Sequence, residues 1–178
     1  MEFNDYYVKQ YTTLKEGLYA TSGTIGLEPK TYYRGIIEKA AYACQILNLH
    51  KNDSVLEIGP GIGDVSKLLS KTVKYLHCCD ISKSLLLMTE VNCQDCNNIS
   101  FHCNFDHDEK PLYFLENNSI DKVLAYGVLE HCYTNTIIQY VKEVQRILKP
   151  NGLFHLRFNK IEKCELASRP VVDHDKIL

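Results

Sequence analysis

Val55-Leu56-Glu57-Ile58-Gly59-Pro60-Gly61-Ile62-Gly63 is the stretch that decides how this chain is read. A short apolar run with one carboxylate inside it meets three glycines at alternating positions. A helical pattern follows from Asp64 to Lys71, with Val65, Leu68 and Leu69 on one face. Glycine permits positive φ and lets a ligand approach the backbone closely. A helix start supplies free N–H groups and a partial positive charge. Strand, glycine loop and helix in that order describe a nucleotide-like pocket. The plain alternative is a glycine turn that serves only strand-to-helix packing.

Downstream, strands and helices alternate. Val73 to Cys79 reads as a second strand, Lys83 to Cys93 as a helix, and Ile99 to Cys103 as a third strand. Ile120 to Tyr126 is a fourth strand, reached through a turn at Glu116-Asn117-Asn118. Thr134 to Leu148 is a helix whose Ile137, Ile138, Val141, Val144, Ile147 and Leu148 form an apolar stripe. Lys149-Pro150-Asn151-Gly152 ends it, and Leu153 to Phe158 is a fifth strand. Upstream, residues 31 to 48 read as a helix on the spacing of Ile36, Ile37, Ala40, Ala43, Cys44 and Leu47. A short helix is expected near Asp5 to Glu16, and Glu28-Pro29 marks a turn or helix start. Alternation of this kind predicts an α/β fold, doubly wound, with a mostly parallel sheet and helices on both faces. Its ligands belong at the C-terminal rim of the strands, where strand order reverses.

The 178 residues suit one domain. The formal net charge is -2 and no lysine or arginine block stands out, so no nucleic-acid partner is expected. No apolar run approaches the roughly 20 residues of a membrane span. The acidic, polar start at Met1-Glu2-Phe3-Asn4-Asp5 lacks the features of a secretory signal, so a cytoplasmic location is the default expectation. Several of the eight cysteines fall inside apolar elements and read as reduced, buried thiols. Cys93-Gln94-Asp95-Cys96 has the spacing of half a zinc site but no second pair follows, so no metal is expected.

About 20 residues beyond the glycine loop, the second strand runs into Asp80. A nucleotide-binding fold places an acid there to accept hydrogen bonds from ribose hydroxyls. The alternative is a helix cap, because Ser82-Lys83 and a helix follow.

Taken together, these segments resemble class I (Rossmann-like) S-adenosylmethionine-dependent methyltransferases. Glu57-x-Gly59-x-Gly61-x-Gly63 is similar to their first motif, and Asp80 to the acid at the end of their second strand. Asp121 to His131 resembles their fourth strand and following loop. Arg146-Ile147-Leu148-Lys149-Pro150-Asn151-Gly152 resembles the turn before their fifth strand, with Asn for one glycine; Asn tolerates left-handed geometry. The likeness covers about residues 31 to 158 and implies an S-adenosylmethionine-binding domain over 31–178, preceded by an arm or lid over 1–30.

The resemblance also implies roles. Gly59 and Gly61 would let the loop approach the cofactor's methionine and ribose. Glu57 would order that loop and the methionine amino end. Asp80 would hold the ribose hydroxyls, with Ile81 beside the adenine. Asp106 would receive the adenine amino group, its alternative being a solvated loop acid. Tyr126 would offer its backbone carbonyl to the methionine amino group, and as a side chain fits the core equally. The implied function is methyl transfer from S-adenosylmethionine to an unidentified acceptor, a small molecule by family resemblance. The catalytic residues are unknown. His131 could act as a general base, but a loop histidine packing near the next helix is the favoured reading.

Several alternatives bear on this reading. A dehydrogenase is disfavoured because the glycines alternate instead of following Gly-x-Gly-x-x-Gly. The ribosomal-RNA adenine dimethylases are disfavoured because Tyr126-Gly127-Val128-Leu129 stands where they carry Asn-Pro-Pro-aromatic. Asn159 to Leu178 is shorter than the helix and two strands with which the family usually ends. That shortness predicts a sheet truncated at its C-terminal strands, with an edge covered by a homodimer or partner subunit. It also leaves room for a non-catalytic methyltransferase-like module that stabilises or regulates a partner protein.

Overall fold

A computed structural model describes residues 11–22, 28–105 and 109–157. Five strands form one parallel sheet: β1 (Ser54–Ile58), β2 (Tyr75–Asp80), β3 (Ile99–Cys103), β4 (Ile120–Tyr126) and β5 (Leu148–Arg157). Their spatial order is β3–β2–β1–β4–β5, and every pairing is parallel. The helices are α1 (Leu14–Ser22), α2 (Pro29–Ile46), α3 (Asp64–Leu69), α4 (Lys83–Asn92) and α5 (Thr134–Ile147). A 3₁₀ turn covers Leu129–His131. The expected doubly wound α/β architecture is present.

The two-residue period of a strand sorts side chains onto opposite faces. On one face Leu56, Ile58, Val123 and Ala125 pack with Tyr140, Val144 and Ile147 of α5. On the other, Val55, Leu76, Cys78 and Leu124 pack with Ala40 and Ala43 of α2, Leu47 at its C-cap and Leu86 of α4. Both faces of β1 are covered, which explains why it reads as a continuous apolar run. Glu57 falls on the α2 face by the same parity. Strand order reverses at β1, so the loops after β1 and β4 open a crevice between them.

Element boundaries shift at a few places. Pro29 opens α2 at its first turn, where its missing N–H costs nothing. Of the apolar positions expected on one side of α2, Ile37 is 60% exposed, whereas Ile36, Ala40, Ala43 and Leu47 are buried. α1 runs over Leu14–Ser22, later than the expected Asp5 to Glu16, whose first part lies outside the described residues. β5 begins at Leu148, five residues before the expected start, because Leu148 already pairs with Ile120. The register then shifts, and Lys122 pairs with Leu153. Asn151 adopts φ 66° in that bulge, the left-handed geometry expected of it. Lys149 Nζ donates at 2.8 Å to each Asp121 oxygen, and Asp121 accepts from the Ser54 N–H at 2.9 Å. These contacts stitch β1, β4 and β5 together at the end remote from the crevice.

The expected truncation of the sheet concerns residues 158–178, which lie outside the described residues. The seven described cysteines are free thiols, and Cys93 is buried with its thiol toward the Gly63 carbonyl at 3.6 Å. Among the described residues no three His, Cys, Asp or Glu side chains are placed to share a metal ion, and no helix is long and apolar enough to cross a membrane.

Candidate cofactor site

A cavity of about 200 Å³ opens where the β1 and β4 ends diverge. That exceeds the roughly 150 Å³ left by deleting a large core side chain, so it is a built crevice, not a packing defect. Glu57, Gly59, Gly61, Asp80, Ile81 and Tyr126 all line it. Sequence reasoning therefore named six residues that the fold brings to one place. The seventh, Asp106, lies outside the described residues.

Glu57 and Asp80 are the chemical centre of the cavity. They are 5% and 8% exposed, and among the described residues neither has an ion-pair partner. Glu57 accepts a 2.6 Å hydrogen bond from the Ser66 hydroxyl of α3 and a longer contact from the Cys78 thiol at 3.9 Å. Burial pushes its pKa up to about 7, against the pull of those hydrogen bonds, and the nearby Asp80 charge adds to the rise. Asp80 accepts from the Ser82 N–H at 2.8 Å, and the Gly61 and Ile81 N–H groups also favour its ionised form. Burial nevertheless raises its pKa to about 6. The helix-cap reading of Asp80 does not hold: Ser82 is the N-cap of α4, accepting from the Leu85 N–H.

The glycine loop has its own supports. Thr89 donates to the Gly61 carbonyl at 2.8 Å, and Asn92 donates to the Ile62 carbonyl at 3.1 Å and to Asp64 at 3.0 Å. α4 thus holds the outer side of the loop. Gly61 has φ 64°, and a Cβ there would come within 2.6 Å of Thr21 Cγ2. The sequence argument assigned Gly61 to ligand approach alone; the structure adds a tight contact with α1. The loop leads into a helix of only six residues, so little helix dipole reaches the cavity.

Several lining residues escaped the sequence reading. Tyr32, Ile36, Lys39 and Ala43 of α2 face the cavity, as do Thr21, Val128 and Cys132; His131, considered in the sequence as a general base, lines it too. The Tyr32 hydroxyl donates to Asp64, and with burial this raises its pKa well beyond the usual phenol value. The signal was available: positions 32, 36, 39 and 43 recur at helical spacing and mix polar with apolar side chains. His131 lies in the 3₁₀ turn, with Nε2 3.7 Å from Glu130 Oε1. Asn104, at the end of β3, is fully buried and donates to the Pro111 carbonyl and the Tyr140 hydroxyl. It does not line the cavity.

Residues 56–156 match the family described as "Methyltransferase domain". The chain is 24% identical over 129 residues to phosphoethanolamine N-methyltransferase 1 of Caenorhabditis elegans, a match that covers 72% of this chain and 26% of that protein. The chain therefore spans about a quarter of that relative. Among solved structures, a Leishmania major S-adenosylmethionine-dependent methyltransferase superposes with a TM-score of 0.62 at 18% identity, covering 86% of this chain and 58% of that one. Phosphoethanolamine N-methyltransferase 1 of Haemonchus contortus, solved with phosphoethanolamine and S-adenosylhomocysteine, gives a TM-score of 0.57 at 22% identity, covering 72% and 31%. With more than half of its length matched in sequence and the parallel sheet in place, the chain belongs to the methyltransferase domain family, a group of Rossmann-like, S-adenosylmethionine-dependent methyltransferases.

Proposed function

We propose that this domain binds S-adenosylmethionine in the crevice between the β1 and β4 ends and transfers its methyl group to a small-molecule acceptor. The observation that carries this reading is the pair Glu57 and Asp80: two buried carboxylates on adjacent strand ends, facing a cavity and unmatched by any described cation. A buried carboxylate without a partner is costly, and a ligand with hydroxyl donors and positive charge offsets that cost. S-adenosylmethionine has ribose hydroxyls, an ammonium and a sulfonium. Asp80 would accept from the ribose hydroxyls, Glu57 would hold the glycine loop and favour the ammonium end, and Ile81 would lie beside the adenine. The Tyr126 carbonyl would face the amino group.

When bound, the cofactor supplies an activated methyl group whose departure leaves S-adenosylhomocysteine. The chain's share of catalysis is alignment and exclusion of water. Thr21 of α1 lines the cavity, which supports the reading of residues 1–30 as a lid. A second chain covering the β5 edge belongs to the same proposal; a monomeric mass in light scattering at high concentration would count against it.

Calorimetric titration with S-adenosylmethionine and S-adenosylhomocysteine tests the reading, alongside Asp80→Ala. Saturable binding by the parent and its loss in the variant are expected. A folded parent that binds neither ligand would overturn the assignment. Binding without turnover across an acceptor screen would favour the non-catalytic module.

A further inference from the structure

Two cations converge on one aromatic ring at the cavity's edge. Lys39 Nζ lies 6.0 Å from the Tyr126 ring centroid and the Arg157 guanidinium 4.5 Å from it. Three elements bring them there. Tyr126 ends β4, Arg157 is its register partner on β5, and Lys39 projects from α2. Tyr126 and Lys39 line the same cavity as Glu57 and Asp80. Tyr42 and His155 complete the surroundings, their rings 5.4 Å apart and each packed toward Tyr126.

Positive charge is uncompensated at this place. Among the described residues, neither the Lys39 nor the Arg157 side chain takes part in an ion pair or a hydrogen bond. Other surface lysines also stand alone. What distinguishes these two is that they share a ring at the mouth of a cavity. His155 Nε2 is buried with no hydrogen-bond partner among the described residues. Burial and the Arg157 charge hold the His155 pKa below its ordinary value, as expected where the surroundings are already positive. Like charges gathered on one side of a cleft favour an anionic ligand. A lysine and an arginine that are already ordered on an aromatic face lose little freedom in binding one.

Resting on the cofactor reading above, we infer that Lys39 and Arg157 form an oxyanion subsite for the methyl acceptor, so that the acceptor carries a phosphate or carboxylate held beside Tyr126. Both cations meet the Tyr126 ring, and Lys39 lines the same cavity as Glu57 and Asp80. An acceptor anchored there by its charged end would present the rest of its length to the cavity. The same chemistry could come from the carboxylate of the cofactor's own methionine part, and the experiment separates the two sources.

Inorganic phosphate is titrated calorimetrically at constant ionic strength into the protein saturated with S-adenosylhomocysteine. Parent, Lys39→Met, Arg157→Met and Arg157→Lys are compared. The expected result is saturable binding by the parent, about tenfold weaker in each Met variant and largely kept in Arg157→Lys, with S-adenosylhomocysteine affinity unchanged in the two Arg157 variants. No phosphate binding by the parent complex overturns the inference. Met variants that weaken S-adenosylhomocysteine but not 5′-methylthioadenosine, which lacks the amino-acid part, also overturn it, because the cations would then hold the cofactor's carboxylate. If the folded parent binds no S-adenosylhomocysteine, the cofactor reading is what fails. Phosphate binding by the free protein, lost in both Met variants, would still support the subsite.

Discussion

The Ser66 hydroxyl of α3 reaches back across the glycine loop to donate a 2.6 Å hydrogen bond to the Glu57 carboxylate of β1. Both side chains are buried. One contact therefore ties the strand before the loop to the helix after it. It also satisfies only part of a carboxylate whose pKa burial has raised to about 7.

Glu57→Gln keeps an acceptor for Ser66 and removes the ionisable group. At pH 8 the ligand-free variant should be more stable than the parent, by about 1 kcal/mol in urea unfolding, since an incompletely satisfied buried charge is gone. Its affinity for S-adenosylmethionine should fall at least roughly tenfold. A variant less stable than the parent at pH 8 would show that the Glu57 charge is better satisfied than its described partners imply.

The two carboxyls set a pH dependence whose sign is fixed. Their folded pKa values, about 7 for Glu57 and about 6 for Asp80, stand above ordinary values of 4.5 and 3.8. Between the ordinary and raised values the folded protein holds protons that the unfolded chain has lost. Their contribution to stability is thus present at low pH and is lost as pH rises through that window, at about 1.4 kcal/mol for each pH unit separating folded from unfolded pKa. Ligand binding should run the opposite way. S-adenosylmethionine favours the ionised carboxylates, so its affinity should rise from pH 5.5 to 7.5, with proton release visible as buffer-dependent heats. Proton uptake on binding would contradict this.

Gly61→Ala meets two obstacles at once: φ 64° and Thr21 Cγ2 at 2.6 Å from the new Cβ. A loss of about 1–3 kcal/mol in thermal unfolding is expected, with weakened cofactor binding. Adding Thr21→Ser removes the clashing methyl and should recover the steric part only. Full recovery would mean that φ strain is negligible; no recovery would mean that α1 does not press on the loop.

Arg146 donates to the Leu112 and Leu115 carbonyls at 2.9 and 2.8 Å while its guanidinium forks onto Glu143. Through it α5 holds the segment between β3 and β4. Arg146→Lys preserves charge but loses the fork, and should cost about 1.5–3 kcal/mol, as for hydrogen bonds to a charged group. Hydrogen exchange should show loosening at 112–118 before the sheet opens. Unchanged protection there would remove Arg146 from this role.

Local sequence carried much of this protein. The continuous apolar run of β1, the stripe of α5 and the alternation of elements follow from nearest-neighbour geometry, so five strands and their intervening helices were legible. The glycine loop and Asp80 were legible too, because a loop at a parallel strand end must open on the rim where strand order reverses, and the family resemblance added Glu57, Ile81 and Tyr126. Tertiary structure alone decided the rest. Strand β5 starts at Leu148 because pairing with Ile120 overrides the turn-forming Lys149 to Gly152. Asp80 is not a cap because Ser82, two residues closer, takes that position. Lys39, Arg157 and Tyr126 meet although 31 to 118 residues separate them in pairs, since only the parallel pairing of β4 with β5 under α2 brings them together. Residue order specifies local propensity and periodicity; long-range pairing, burial and charge neighbourhood arise only when the sheet assembles.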